Sequence, residues 1–194
     1  MKAVVLDVSP QELERRRRTG VDRWDEMWEG VLHLSPAPAY EHQRIVKALL
    51  LFLEPLFAQT GRGALSPGIN VFRGDDDYRI PDLTFVAAGR ERIIAADGVR
   101  GEGPDAVIEV RSPGDETYDK LPFFASLGVR EVVVVPRDEK KPEVYRLAGA
   151  QYLAIAADRD GGVASEVLGV RLAPAPGPRL AVEDLTDPSH RTEI

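Results

Sequence analysis

The sequence predicts an α/β (α+β) fold in which a mixed β-sheet is flanked by helices. Short apolar, partly β-branched runs at residues 83–86, 106–110 and 132–135 read as buried strands. Between the last two lies a helical stretch at 119–127 closed by Gly128, and a strand, a helix and a further strand on short links imply a βαβ crossover. With 17 glycines and 15 prolines in 194 residues, the chain is also too rich in loop formers for a helical bundle. Its length suits one domain.

The elements follow in order. Ser9-Pro10-Gln11-Glu12 starts a helix over 9–20, with serine as cap and proline in the first turn. Arg15 to Arg18 are consecutive, so they point around that helix and cannot form one basic face. The pattern WDEMWEGVLHL at 24–34 suggests a strand, a turn or bulge at Gly30, and a second strand. A loop at 35–38 precedes a helix from Glu41 to about Leu53, where Ile45, Ala48, Leu49 and Phe52 form an apolar stripe and Pro55 ends or kinks the helix. Residues 61–68 read as a loop, 69–72 as a strand, and 74–77 as an acidic turn. Arg137 to Lys141 is a charged hairpin turn that folds 143–147 back on 132–135. Short strands are expected near 151–155, 164–168 and 170–172. The tail, 173–194, holds Pro174, Pro176, Pro178 and Pro188 and reads as an extended arm with at most a helical turn near 182–185.

Composition narrows the chemistry. Without cysteine there are no disulfides, thiol nucleophiles or cysteine zinc sites, and a reducing, cytoplasmic location is expected. His33, His42 and His190 are too scattered for a histidine metal cluster, so a metal should be held by oxygen. A net charge of -7 makes the whole protein repel a phosphate backbone, leaving room only for local basic patches. No apolar stretch approaches the roughly 20 residues that span a bilayer, and no export signal is read at the start.

The anomaly is Val107-Ile108-Glu109-Val110, a carboxylate inside an apolar strand. A lone buried charge needs a partner, a metal or a raised pKa. A second acid, Asp82, follows Pro81 where a strand begins. If their strands are neighbours, Asp82 and Glu109 lie a few Å apart at matching depth. Two close carboxylates call for a cation, and an oxygen-only site suits Mg²⁺ or Mn²⁺ and phosphate-ester hydrolysis, with a nearby lysine steadying the reaction. The plainer reading is that Asp82 caps a strand and Glu109 pairs with Arg111, which shares its strand face.

The series Glu29-Gly30-Val31-Leu32, Glu41-His42-Gln43-Arg44, Arg79-Ile80-Pro81-Asp82-Leu83-Thr84-Phe85, Pro104-Asp105-Ala106-Val107-Ile108-Glu109-Val110-Arg111-Ser112-Pro113, Asp119-Lys120 and Gly128-Val129-Arg130-Glu131 resembles the Uma family of restriction-endonuclease-like bacterial proteins, over roughly residues 24–172. That resemblance implies a restriction-endonuclease-like core with a PD…(D/E)xK nuclease site. Asp82 matches the PD aspartate and Glu109 the second acid, while the lysine position holds Arg111 and Lys120 on the next helix takes its role. Glu41 matches a glutamate that joins or supports the metal site. His42, Gln43, Arg111 and Tyr118 are then substrate-binding candidates. The implied activity is metal-dependent hydrolysis of DNA by water attack, and the implied assembly a homodimer that cuts both strands. Its rivals are an idle binding module that keeps the fold, which the net charge and Arg111 favour, and a glycosidase, which two tryptophans and five tyrosines poorly support.

Overall fold

The computed structural model describes residues 3–6, 8–35 and 37–194. The chain start at Met1-Lys2 and Pro36 of the 35–38 loop lie outside the described residues. In chain order the elements are β1 (Ala3–Val5), α1 (Pro10–Thr19), β2 (Glu26–Trp28), β3 (Val31–Leu34), α2 (Tyr40–Thr60), β4 (Gly63–Pro67), β5 (Asn70–Gly74), β6 (Asp77–Arg79) and β7 (Leu83–Ala87). Then come β8 (Ile94–Ala95), β9 (Gly98–Val99), β10 (Ala106–Arg111), α3 (Leu121–Ser126), β11 (Glu131–Pro136), β12 (Glu143–Ala148) and β13 (Gln151–Ala154). The chain closes with β14 (Val163–Ser165), β15 (Val170–Ala175), β16 (Arg179–Asp184) and β17 (Arg191–Glu193).

The central sheet has the order β13-β12-β11-β10-β7-β4. Within it β10 and β11 are parallel, as the βαβ reading requires, and the other neighbours are antiparallel, so the sheet is mixed. Strand alternation then divides the core. Ile108 and Val110 face α2, whose Ile45, Leu49, Leu53 and Phe57 are fully buried against them. Val107 faces the other way, toward Phe123 and Phe124 of α3. Glu109, two residues on, therefore lies on the α3 side.

Helix α1 is built as its sequence dictates. The Ser9 hydroxyl accepts from the Glu12 N–H at 3.2 Å, Pro10 opens the first turn, and Gly20 ends the helix at φ 68°.

Three expectations need correction. Helix α2 runs through Pro55 to Thr60 instead of stopping near Leu53. Proline there removes only the bond to the Leu51 carbonyl, on the exposed side, while Leu56 and Phe57 stay buried and carry the helix on. Residues 61–68 are not a loop, because β4 pairs along β7 from Gly63↔Ala87 to Pro67↔Leu83. Nor is the tail an arm with a helical turn. It completes a four-stranded antiparallel sheet, β14-β15-β16-β17, whose Leu172, Leu180, Val182 and Ile194 join the α2 core. Buried Glu131 ties this sheet to the central one by accepting from the Ser165 hydroxyl at 2.5 Å and the Val167 N–H at 3.1 Å.

Gly63 makes the β4–β7 pairing possible. At φ 150° a Cβ would stand 2.2 Å from the Val86 carbonyl oxygen, which belongs to rigid backbone. Gly63→Ala is therefore expected to lower stability by about 3 kcal/mol, read as a fall of roughly 6–12 °C in melting temperature. An unchanged midpoint would show that the edge strand moves aside freely.

Candidate active site

Pairing of Leu83 with Ile108 sets Asp82, one residue before β7, opposite Glu109, one residue further along β10. Asp82 does cap its strand. Its Oδ2 accepts from the Val110 N–H at 2.7 Å, extending the ladder with a side chain, and its Oδ1 lies 2.8 Å from His42 Nε2 on α2. Glu109 does not pair with Arg111. Its two oxygens are 3.2 and 3.4 Å from Lys120 Nζ, delivered by a 3₁₀ turn over Tyr118–Lys120 just before α3.

The ammonium of Lys120 is shared with a residue that sequence reasoning missed. Glu26 on β2 lies 2.8 Å from Lys120 Nζ and is 4% exposed. The Ile80 N–H and the Trp28 indole N–H hold its oxygens, each at 2.8 Å. The signal that singled out Glu109, an acid inside an apolar run, is missing here, because Glu26 follows Asp25 in a charged stretch. Glu26 comes from the seven-stranded sheet β1-β3-β2-β6-β5-β9-β8 and Glu109 from the central sheet, so Lys120 bridges the two. Behind them, Arg79 lies 4.0 Å over the Trp28 ring, Trp28 stacks on His33 at 4.2 Å, and His33 Nδ1 is 3.0 Å from Glu116.

Burial pushes Glu109 up to about 8, because the attraction of Lys120 offsets only part of the desolvation and the charges of Asp82 and Glu26 add to it. For Lys120 burial pulls downward, but Glu109 and Glu26 outweigh it and hold the amine well above the ordinary lysine range. An amine so held stays protonated and cannot act as a base.

A cleft of about 330 Å³ opens over this cluster. Glu26, Asp82, Glu109, Lys120, His42 and Gln43 all line it, so five of the residues selected from sequence meet in one place. Others stand apart. Glu41 does not line the cleft and does not meet Asp82 or Glu109; hydrogen bonds from Arg44 and then Lys140 engage its carboxylate and lower it to about 2. Position 41 precedes His42 by one residue, and consecutive residues on a helix face different ways. Arg111 and Tyr118 do not line the cleft either: the guanidinium lies 5.1 Å over the ring, and the Tyr118 hydroxyl donates to Glu143 at 2.9 Å. In the loop after β10, Asp115 and Glu116 line the cleft, and Asp115 folds the loop by accepting from the N–H groups of Ser112 and Thr117.

Among the described residues no three His, Asp or Glu side chains stand close enough to ligate one ion. The donor chemistry nevertheless suits a hard dication. Asp82 and Glu109 offer carboxylate oxygens, and Mg²⁺ is usually held by one or two carboxylates together with water and substrate phosphate. With Glu26, Asp82 and Glu109 all ionised beside one lysine, the cluster would carry an excess of negative charge that a cation would offset.

A mixed sheet with one parallel pair, with Asp82 just before β7, Glu109 within β10 and Lys120 reaching them from the turn before α3, is a restriction-endonuclease-like core. The chain belongs to the Uma2 family, described as "Putative restriction endonuclease", which it matches over residues 10–176. In fold it is similar to a solved protein, "a putative nuclease belonging to DUF820 from Anabaena variabilis ATCC 29413", with TM-score 0.60 and 17% identity over 74% of this chain and 82% of that one. No curated protein matches the chain. Among the described residues no helix is long and apolar enough to cross a membrane.

Proposed function

We propose that the chain is a divalent-metal-dependent endonuclease that hydrolyses DNA phosphodiesters by water attack. The convergence of Asp82 and Glu109 from paired strands on one cleft, where Lys120 lies 3.2 Å from Glu109, is the observation that carries this reading. Asp82 and Glu109 would hold Mg²⁺ or Mn²⁺, and His42 and the Val110 N–H fix the orientation of Asp82. When bound, the ion supplies Lewis-acid stabilisation of phosphoryl charge and lowers the pKa of water. Lys120 is a fixed positive charge facing the cleft, placed to stabilise charge building on the phosphate rather than to remove a proton. Glu26 keeps that ammonium in position. Gln43 and Arg137 line the cleft where substrate oxygens would lie. The planar guanidinium of Arg111 suits a two-point phosphate contact, but it does not take the lysine's place in the cluster, which Lys120 fills.

Supercoiled plasmid incubated with the protein and Mn²⁺ tests the reading. Conversion to nicked or linear DNA, lost on chelation, is the expected result, and plasmid and single-stranded oligonucleotides that both stay intact across a range of divalent ions contradict it. The idle-module reading keeps one observation on its side: Lys120, 3.2 Å away, already gives the Glu109 carboxyl a partner without an ion. Calorimetric heat on Mn²⁺ addition, with no hydrolysis of any nucleic acid, would favour that reading. A homodimer is part of the proposal and is checked by sedimentation at working concentration.

A further inference from the structure

We propose that the cleft takes a single unpaired polynucleotide strand, with a base stacked against Trp24, so that the substrate is single-stranded rather than duplex nucleic acid. The inference rests on the nuclease reading and names the substrate class for that same site. It starts from the walls of the cleft, not its catalytic floor. Beside the carboxylates the cleft is lined by Trp24, Leu34, Pro38, Ile80 and Pro113, an apolar and partly aromatic surface. The outside of a duplex presents phosphate and sugar, and its base faces are covered by their neighbours in the stack. Only an unpaired base has a free π-face for such a wall, and stacking of this kind is the usual source of single-strand affinity.

Trp24 is built as a platform. Its indole is half-buried, packs over Gly68, where a Cβ would come within 3.3 Å of the ring, and carries the Arg23 guanidinium 5.1 Å from its centroid. A second cation-and-ring pair, Arg111 over Tyr118, follows directly on the cleft-lining residues Val110 and Thr117, and Tyr118 is 38% exposed. An unpaired strand crossing the cleft would find one arginine-backed ring in its lining and a second beyond it.

Size and charge agree with this choice. At about 330 Å³ the cleft is at the small end of ligand pockets, roughly 300–1,000 Å³, and is recessed, whereas a duplex needs a broad groove. Its lining holds Glu26, Asp82, Glu109, Asp115 and Glu116 against Lys120 and Arg137. A duplex brings a phosphate charge about every 1.7 Å of axis, twice the density of one strand, into that acidic environment.

The test measures binding and cleavage separately. Fluorescently labelled dT12, U12 and a 12-base-pair duplex are titrated with the protein in Ca²⁺ by anisotropy, and the same oligonucleotides are then incubated with Mn²⁺. Binding of dT12 or U12 about tenfold or more tighter than duplex is expected, with the dT12 and U12 arms deciding between DNA and RNA. Trp24→Ala should weaken single-strand binding about tenfold, and Trp24→Tyr, which keeps a stacking ring, should restore most of it. Duplex binding equal to or tighter than both single strands overturns the proposal, as does full single-strand affinity in a folded Trp24→Ala. Duplex cleaved in Mn²⁺ without single-strand preference leaves the nuclease reading standing and removes this one. Tight dT12 binding with no cleavage of any oligonucleotide supports the strand preference and removes the nuclease reading.

Discussion

Replacing Glu109 with glutamine is expected to reduce Mn²⁺-dependent phosphodiester cleavage by on the order of a thousandfold while the protein stays folded. The size follows from what is lost, one of two carboxylates available to the ion at the point where phosphate charge builds. Survival of the fold follows from electrostatics. Burial has already pushed the Glu109 carboxyl up to about 8, so near neutral pH the native site gains little from its negative charge, and a neutral side chain of the same shape fits the same space. Lys120 keeps Glu26 at 2.8 Å. Glu41→Gln provides the contrast, since Glu41 is engaged with Arg44 and Lys140 outside the cleft and its loss should change the rate by less than about threefold. The measurement is initial rate on plasmid or oligonucleotide, alongside a thermal melt. Full activity in Glu109→Gln would remove the assignment of this cluster as a metal-dependent catalytic centre.

The central strands were legible because their signal is local. Runs such as Val132 to Val135 are apolar on both faces, and both faces are covered, by the α2 and α3 cores. The same logic exposed Glu109, since a carboxylate in such a run must be answered somewhere. What answered it was not legible from the residues alone. Lys120 was named through the family resemblance, and Glu26 was not named at all, because it arrives from another sheet and sequence spacing says nothing about how two sheets meet. The tail failed for a different reason. Pro174 pairs with Leu180 beyond the point where β14 stops at Val163↔Leu172, so its missing N–H lies where no neighbouring strand needs it. Pro176-Gly177-Pro178 is the hairpin turn itself. Prolines that looked like marks of an arm are edge and turn residues. Glu41 was misplaced by one helical position: the side chain that reaches Asp82 is its neighbour, His42.

Lys120→Met is expected to be among the most destabilising single substitutions in the chain, at about 3–5 kcal/mol, the usual size when one partner of a buried ion pair is removed. Methionine matches the length of lysine and fills its space, so the loss is electrostatic. Glu26 and Glu109, 4% exposed each, would face one another with no cation between them. The pH dependence carries the sign. Glu109 is raised above its unfolded value of about 4.5, so between that value and about 8 the native protein binds a proton that the unfolded chain has released. Stability of the metal-free protein should therefore fall as pH rises through this window, by up to about 1.4 kcal/mol per pH unit. Lys120, raised from a value already above 10, is charged in both states throughout and adds no slope there. In Lys120→Met the carboxyl of Glu109 loses its attracting partner, so the decline should extend to higher pH. In Glu109→Gln it should flatten. The double variant, Lys120→Met with Glu109→Gln, should recover part of the loss, since it leaves Glu26 as the single buried acid on that lysine's former position, held by the Ile80 and Trp28 N–H groups. Urea midpoints in EDTA from pH 5 to pH 9 measure all four proteins. If Lys120→Met melts like the parent at every pH, the buried lysine is not what holds the two sheets' acids together, and the cluster must be open to water.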